Sequence, residues 1–212
     1  MKSDSPAPRP YRQTARARAA QETGIRLVEA FSARLREHWF DEIRLEDVAR
    51  DGGVTVQTLI RRFGGKEGLL DAAQARISEE IRARRAQAPA RRPGAAGAIA
   101  ALAADYEEVG DFVLRMLAQE GRHPAIRNMA DFGRAGHRQW VAENFALWLD
   151  PLAGEARRRA LDALVVACDV YVWKLLRRDM GRPLAEYRAL VAAMAAAALG
   201  LSPQQLNETG DA

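Results

Sequence analysis

Residues 45–63 read LEDVARDGGVTVQTLIRRF, and this stretch decides the fold. Leu45, Val48 and Ala49 are spaced for one face of a short helix over about Leu45 to Asp51. Gly52-Gly53 ends that helix and supplies the permissive backbone of a tight turn. Thr55 then stands as an N-cap, and Val54 and Leu59 occupy the positions of a hydrophobic staple. The spacing therefore predicts a second helix over Val56 to about Phe63, broken by Gly64-Gly65. Helix, glycine turn and second helix make a helix-turn-helix layout.

Outward from this unit the chain reads as helix nearly throughout, rich in alanine, leucine, arginine and glutamate and without sustained period-two alternation. Upstream, Ile25, Val28, Phe31 and Leu35 form an apolar stripe on a helix over about Thr14 to His38. Downstream, a fourth helix runs from about Lys66 to Ala86. Pro89, Pro93, Gly94 and Gly97 make the stretch 87–97 a linker and the domain boundary. Beyond it, one helix carries Ile99, Leu102, Tyr106, Val109, Val113 and Met116. A break at Gly121 to Pro124 is followed by a short helix and then one bearing Trp140, Val141, Phe145 and Trp148. After Asp150-Pro151, a long helix spans about Glu155 to Arg178, with Leu161, Val165, Cys168, Val172 and Leu175 on one face. The last helix runs from about Leu184 to Leu201 through Tyr187, Val191, Met194 and Ala198. The expected class is all-α. A basic tail over 1–13 and a tail over 203–212 are read as disordered, flanking a helix-turn-helix domain over 14–86, the linker, and a helical domain over 98–202.

Composition narrows the function classes. The 212 residues are 48% hydrophobic and 28% charged, which suits a folded core under a charged surface. No apolar run approaches the roughly 20 residues of a spanning helix, and Met1 to Pro10 lack the apolar segment of a secretory signal. The lone Cys168 excludes an intrachain disulfide and reads as a small buried hydrophobe. These features fit a cytoplasmic chain. Net charge is +4. Lys2, Arg9, Arg12, Arg16 and Arg18 against Asp4 carry an equal excess within residues 1–18, as a basic arm on DNA or as an unengaged tail.

The second helix of a helix-turn-helix enters the major groove with its first residues against base edges. Those residues are Thr55, Val56, Gln57 and Thr58. Gln57 can pair with adenine in bidentate fashion, and Val56 or the threonine methyls can touch a thymine methyl. Arg61 and Arg62 lie one turn on, placed for phosphates, and no acidic residue occurs between Gly52 and Lys66.

Taken over its full length, the segment 25–70 resembles the DNA-binding domain of the TetR/AcrR family of bacterial regulators. The matching residues are Ile25, Leu27, Val28, Ala30 and Phe31, then Leu45, Val48 and Ala49, then Gly53-Val54-Thr55, Thr58-Leu59, Phe63, Lys66-Glu67 and Leu69-Leu70. The resemblance implies an operator-binding dimer, a repressor released by a small-molecule effector, with Lys66 on a phosphate at the start of the fourth helix. It also implies that the C-terminal half binds the effector and dimerises. Trp39 replaces the usual glycine, Arg44 the usual capping Ser or Thr, Gln57 a small residue, and Ile60 and Arg62 the usual Tyr and His. Ile60 removes a phosphate contact that Arg44, Arg61 and Arg62 are placed to replace.

The seven-residue apolar repeats around Leu161 to Leu176 and Tyr187 to Leu201 would build a four-helix interface between two subunits, and a hairpin buried inside a monomer would look much the same. Candidate walls of an effector pocket are Tyr106, Phe112, Met116, Met129, Phe132, His137, Trp140, Phe145, Trp148 and Trp173, which serve equally as core. His123 and His137 lack metal-ligand spacing, and no cofactor is expected. No nucleophile–base pair or glycine-rich phosphate loop suggests an enzyme. Two further readings stay open: a helical ligand-binding protein, or an interaction module that has lost DNA binding.

Overall fold

A computed structural model describes residues 10–87 and 94–208. The described chain contains helix and no strand, as expected of an all-α protein: α1 (Pro10–Glu37), a 3-10 turn (Phe40–Glu42), α2 (Leu45–Asp51), α3 (Val56–Phe63), α4 (Lys66–Gln87), α5 (Ala95–Leu117), α6 (Pro124–Asn144), α7 (Ala146–Leu149), α8 (Gly154–Ala167), α9 (Val170–Trp173) continued by a π-helical segment (Lys174–Asp179), α10 (Leu184–Ala198) and α11 (Pro203–Glu208). No described helix is long and apolar enough to cross a membrane. The backbone packs as two compact units divided between Ala75 and Arg76, inside α4. Residues 1–9 and 209–212 of the expected tails, and 88–93 of the expected linker, lie outside the described residues.

In the first unit, α1 buries Leu27, Val28, Phe31 and Leu35, and Phe40, Ile43, Val48, Ala49, Leu59, Leu69 and Leu70 are further buried side chains of that unit. Each fully buried leucine contributes roughly 1.5–3 kcal/mol through loss of water contact. Ile25 departs from the expected stripe. It is 44% exposed, and Gly24 and Leu27 take the inward positions. The helix also begins at Pro10, so Pro10–Gln13 belong to α1 rather than to a tail. Proline suits a first helical turn, where its missing N–H costs no intrahelical bond.

The second unit has its core among α5, α6, α8, α9, α10 and α11, around Leu102, Tyr106, Phe145, Leu164, Trp173, Tyr187, Val191 and Leu206. Three expectations need correction here. The short helix and the Trp140 helix are one element, α6, running through Gly133 and Gly136 without a break, and α7 follows as a single short turn. The long helix over Glu155 to Arg178 is interrupted. Asp169 is extended at φ −75°, ψ 151°, and its carboxylate accepts from the Tyr171 N–H at 2.8 Å, so it caps a new helix. The rephasing leaves Leu175 outside and puts Trp173 and Leu176 inside. Finally, Pro203–Glu208 are helical rather than a tail: Gln205 N–H donates to Ser202 Oγ at 3.2 Å, and the Ser202 N–H donates back to Gln205 Oε1 at 2.8 Å. This capping box starts α11 and seats Leu206 in the core.

The π-helical segment is fixed to α5. Trp173 Nε1 donates to Glu107 at 2.8 Å, Arg177 clamps Glu107 at 2.8 and 2.9 Å, and Arg178 lies 4.4 Å over the Trp173 ring while pairing with Asp111. Gly110 makes the approach possible, since a Cβ there would sit 2.5 Å from the indole. The Arg177 hydrogen bond, helped by that of Trp173 and opposed by burial, lowers the Glu107 pKa from its ordinary 4.5 to about 2.

Candidate nucleic-acid interface

The α2–α3 corner is built by local chemistry. Arg44 precedes α2 in an extended conformation and makes no side-chain cap, in line with a residue that carries no short acceptor. Gly53 at φ 69° turns the chain between the helices. Thr55 Oγ1 accepts from the Thr58 N–H at 3.3 Å, and the two threonine hydroxyls meet at 3.0 Å. Gly64 at φ 77° closes α3 in the left-handed region that suits glycine. The following corner is tighter than the sequence pattern suggested. A Cβ on Gly68 would fall 1.8 Å from the Phe63 carbonyl oxygen, so only glycine fits where α4 starts.

Leu59 is the anchor of α3 and is fully buried. The opposite side carries Gln57, Ile60 and Arg61, all exposed, with Val56 and Thr58 at its edge. Positions three and four apart are neighbours on a helix, so Gln57, Ile60 and Arg61 share one face. Among the described residues, no side-chain hydrogen bond or ion pair engages Arg44, Gln57 or Arg61. Three acidic groups near the corner are engaged elsewhere: Arg34 holds Asp51 at 2.6 Å, Arg50 holds Asp47 at 2.5 Å, and Glu42 accepts from the Trp39 N–H at 2.9 Å.

Two of the expected cations occupy structural positions. The Arg62 guanidinium lies against α1, where Gly24 leaves room for it: a Cβ at 24 would be 2.2 Å from Nη2. It also sits 5.7 Å from the centre of the Phe63 ring. Lys66 Nζ lies 4.5 Å over the Phe40 ring and donates to the Asp41 carbonyl at 3.3 Å. Burial lowers its pKa from the ordinary lysine range, and the Asp41 charge opposes that shift. Sequence reasoning missed both packing roles. Gly24 beside a long cation one helix away gives no local signal.

Of the ten residues considered for an effector pocket, Tyr106, Phe145 and Trp173 belong to one hydrophobic cluster and Trp140 and Trp148 pack against it. Tyr106, Phe112, Met116, Phe145 and Trp173 are buried. Tyr106 donates its hydroxyl to the Cys168 carbonyl at 3.1 Å, and its ring lies 6.1 Å from that of Trp173. His137 lies 3.4 Å from the Val165 carbonyl and stacks on Trp140. Trp148 and Met129 are half-buried, and Phe132 is 55% exposed. Two shallow, open surface concavities lie among the described residues. One follows α1 beside Asp51, the other runs between α8 and α10, and none of these ten side chains lines either. No group of three or more His, Cys, Asp or Glu side chains is placed to hold a metal ion among the described residues.

No family model matches the sequence, and no curated protein sequence matches it. The fold, in contrast, is shared with solved structures. A protein from Pseudomonas aeruginosa PAO1 assigned as a transcriptional regulator superposes with a TM-score of 0.67 at 17% identity, over 86% of this chain and 93% of that one. A protein from Rhodococcus sp. assigned to the TetR-family transcriptional regulators gives 0.61 at 18% identity, over 82% and 97%. A transcriptional regulator from Rhodococcus sp. Rha1 gives 0.62 at 12% identity, over 89% and 98%. At these identities the likeness establishes a common fold.

Proposed function

We propose that this chain is a DNA-binding transcriptional regulator that reads operator DNA with α3 as a homodimer. The carrying observation is the α3 face. It pairs an unengaged amide and an unengaged guanidinium, Gln57 and Arg61, on a short helix with no acidic residue from Gly52 to Lys66. Arg44 stands exposed at the start of α2, where it can take a phosphate. The shared fold with solved transcriptional regulators supports the same reading.

Dimerisation is supported by the outer face of α8 and α10, the expected last two long helices. Val166 is 64% exposed, and Leu190 and Met194 are more than a third exposed. Asp162, Ala163, Val166, Ala167, Met194 and Ala198 line the groove between the two helices. A second copy covering this apolar face would give the two reading heads that a palindromic site requires. Release by a small-molecule effector is part of the proposal. An effector must bind better to the dimer that holds DNA poorly.

Selection of genomic fragments by the intact protein tests this. The expected result is enrichment of discrete sites with two-fold symmetry. Retention of all fragments alike would overturn it.

A further inference from the structure

Resting on the regulator reading above, we infer that α3 selects A·T base pairs, with Gln57 reading an adenine and Ile60 reading a nearby thymine methyl.

The Thr55 and Thr58 hydroxyls meet at 3.0 Å, and Thr55 also caps the Thr58 N–H. One of the two hydroxyl protons is thus used inside the turn, which leaves one threonine hydroxyl proton to donate. Arg62 is turned toward Gly24 of α1 and over the Phe63 ring. Guanine is read mainly by an arginine or lysine on its O6 and N7. Within α3 that leaves Arg61 as the group that would read guanine, and a phosphate contact by Arg61 leaves the base edges to Gln57 and Ile60.

The remaining base-reading chemistry is one amide, one unspecific threonine hydroxyl and an aliphatic patch. The Gln57 amide offers a donor and an acceptor together, the pattern that matches adenine N6 and N7. Ile60 is 46% exposed. A bare aliphatic side chain in that position is costly beside water and matches the one apolar feature of the major groove, the thymine methyl. Gln57 and Ile60 are three residues apart, so their Cβ atoms are about 5–6 Å apart on one face. At about 3.4 Å per base, the two side chains reach bases one or two steps apart. Ile60 is then a specificity determinant, which touches a base where a polar side chain would have held a phosphate.

The test is selection from a random duplex pool by the intact protein, followed by affinity measurements on the winning sequence. The expected half-site has an adenine and a thymine one or two steps apart at its centre. Replacing that thymine by deoxyuridine removes only the methyl. It should weaken the wild-type protein about fourfold and leave Ile60→Ala unaffected. Gln57→Ala should lose about tenfold or more of the preference for adenine. Both substitutions are at exposed positions, and an unchanged Tm confirms folding. A half-site centred on G·C pairs whose preference disappears in Arg61→Ala overturns the inference and leaves the regulator reading intact. So does equal weakening of wild type and Ile60→Ala by deoxyuridine. If no sequence is enriched over the starting pool, the regulator reading itself fails and the inference fails with it.

Discussion

Single residues decide how closely the helices approach. Gly68 and Gly24 both exclude a Cβ, but for different neighbours. At Gly68 the obstacle is the Phe63 carbonyl, which is backbone, whereas at Gly24 it is the far end of the Arg62 side chain. Gly68→Ala should therefore destabilise by about 2 kcal/mol or more, while Gly24→Ala should be near neutral or stabilising, since alanine favours helix by about 1 kcal/mol and Arg62 can swing aside. Urea unfolding of both variants checks the contrast. Glu107 gives a pH signature. Its pKa is lowered from 4.5 to about 2, chiefly by Arg177, so its contribution is complete above about pH 4.5 and is lost as pH falls toward 2. Solvent screens this partly exposed group, and Glu107→Gln should cost about 1–2 kcal/mol at pH 7. The difference from wild type should vanish near pH 2, and a constant difference across the range would contradict this origin. Such contacts were illegible in sequence. Glu107 and Arg177 are seventy residues apart, and nothing local marks Gly24, Gly68 or Gly110 as contact points.

At the scale of elements, legibility followed local chemistry. The limits of α2 and α3 were readable because glycine pairs bound them and Thr55 is a strong cap. The interruption between α8 and α9 was hidden because apolar periodicity continues through Ala163 to Trp173, and Asp169, the one acidic residue there, reads as a surface position until its hydrogen bond is seen. Asp169→Ala should cost about 1 kcal/mol in thermal or chemical unfolding, with Asp169→Asn retaining most of the stability because it keeps the acceptor. If both variants unfold alike, the cap is not what starts α9. The α11 signal was present in the sequence: Ser202, Pro203 and Gln205 spell a capping box with proline at the first helical position. Polar composition outweighed it. The continuity of α6 was hidden in the other direction: Gly133 and Gly136 weaken a helix without ending it when neighbours such as Ile126, Ala130 and Val141 are buried.

For the whole molecule, the proposed regulator requires a dimer through the α8–α10 face that presents two α3 helices. Val166→Asp combined with Met194→Asp should convert a sedimenting dimer into a folded 23.4 kDa monomer. The same variant should lose affinity for a two-fold site more than for a half-site. A double variant that still sediments as a dimer would place the interface elsewhere. The all-α class and the helix-turn-helix were legible from periodicity and turn chemistry, whereas the effector candidates could not be sorted from core because buried aromatics look alike in sequence. The most direct test of DNA reading by α3 is the affinity of the intact protein for a selected duplex and for its scrambled counterpart at several salt concentrations. A preference of about a thousandfold or more is expected, falling with salt, with the salt slope reduced by about one in each of Arg44→Ala and Arg61→Ala. Equal affinity for the two duplexes at every salt concentration would contradict it.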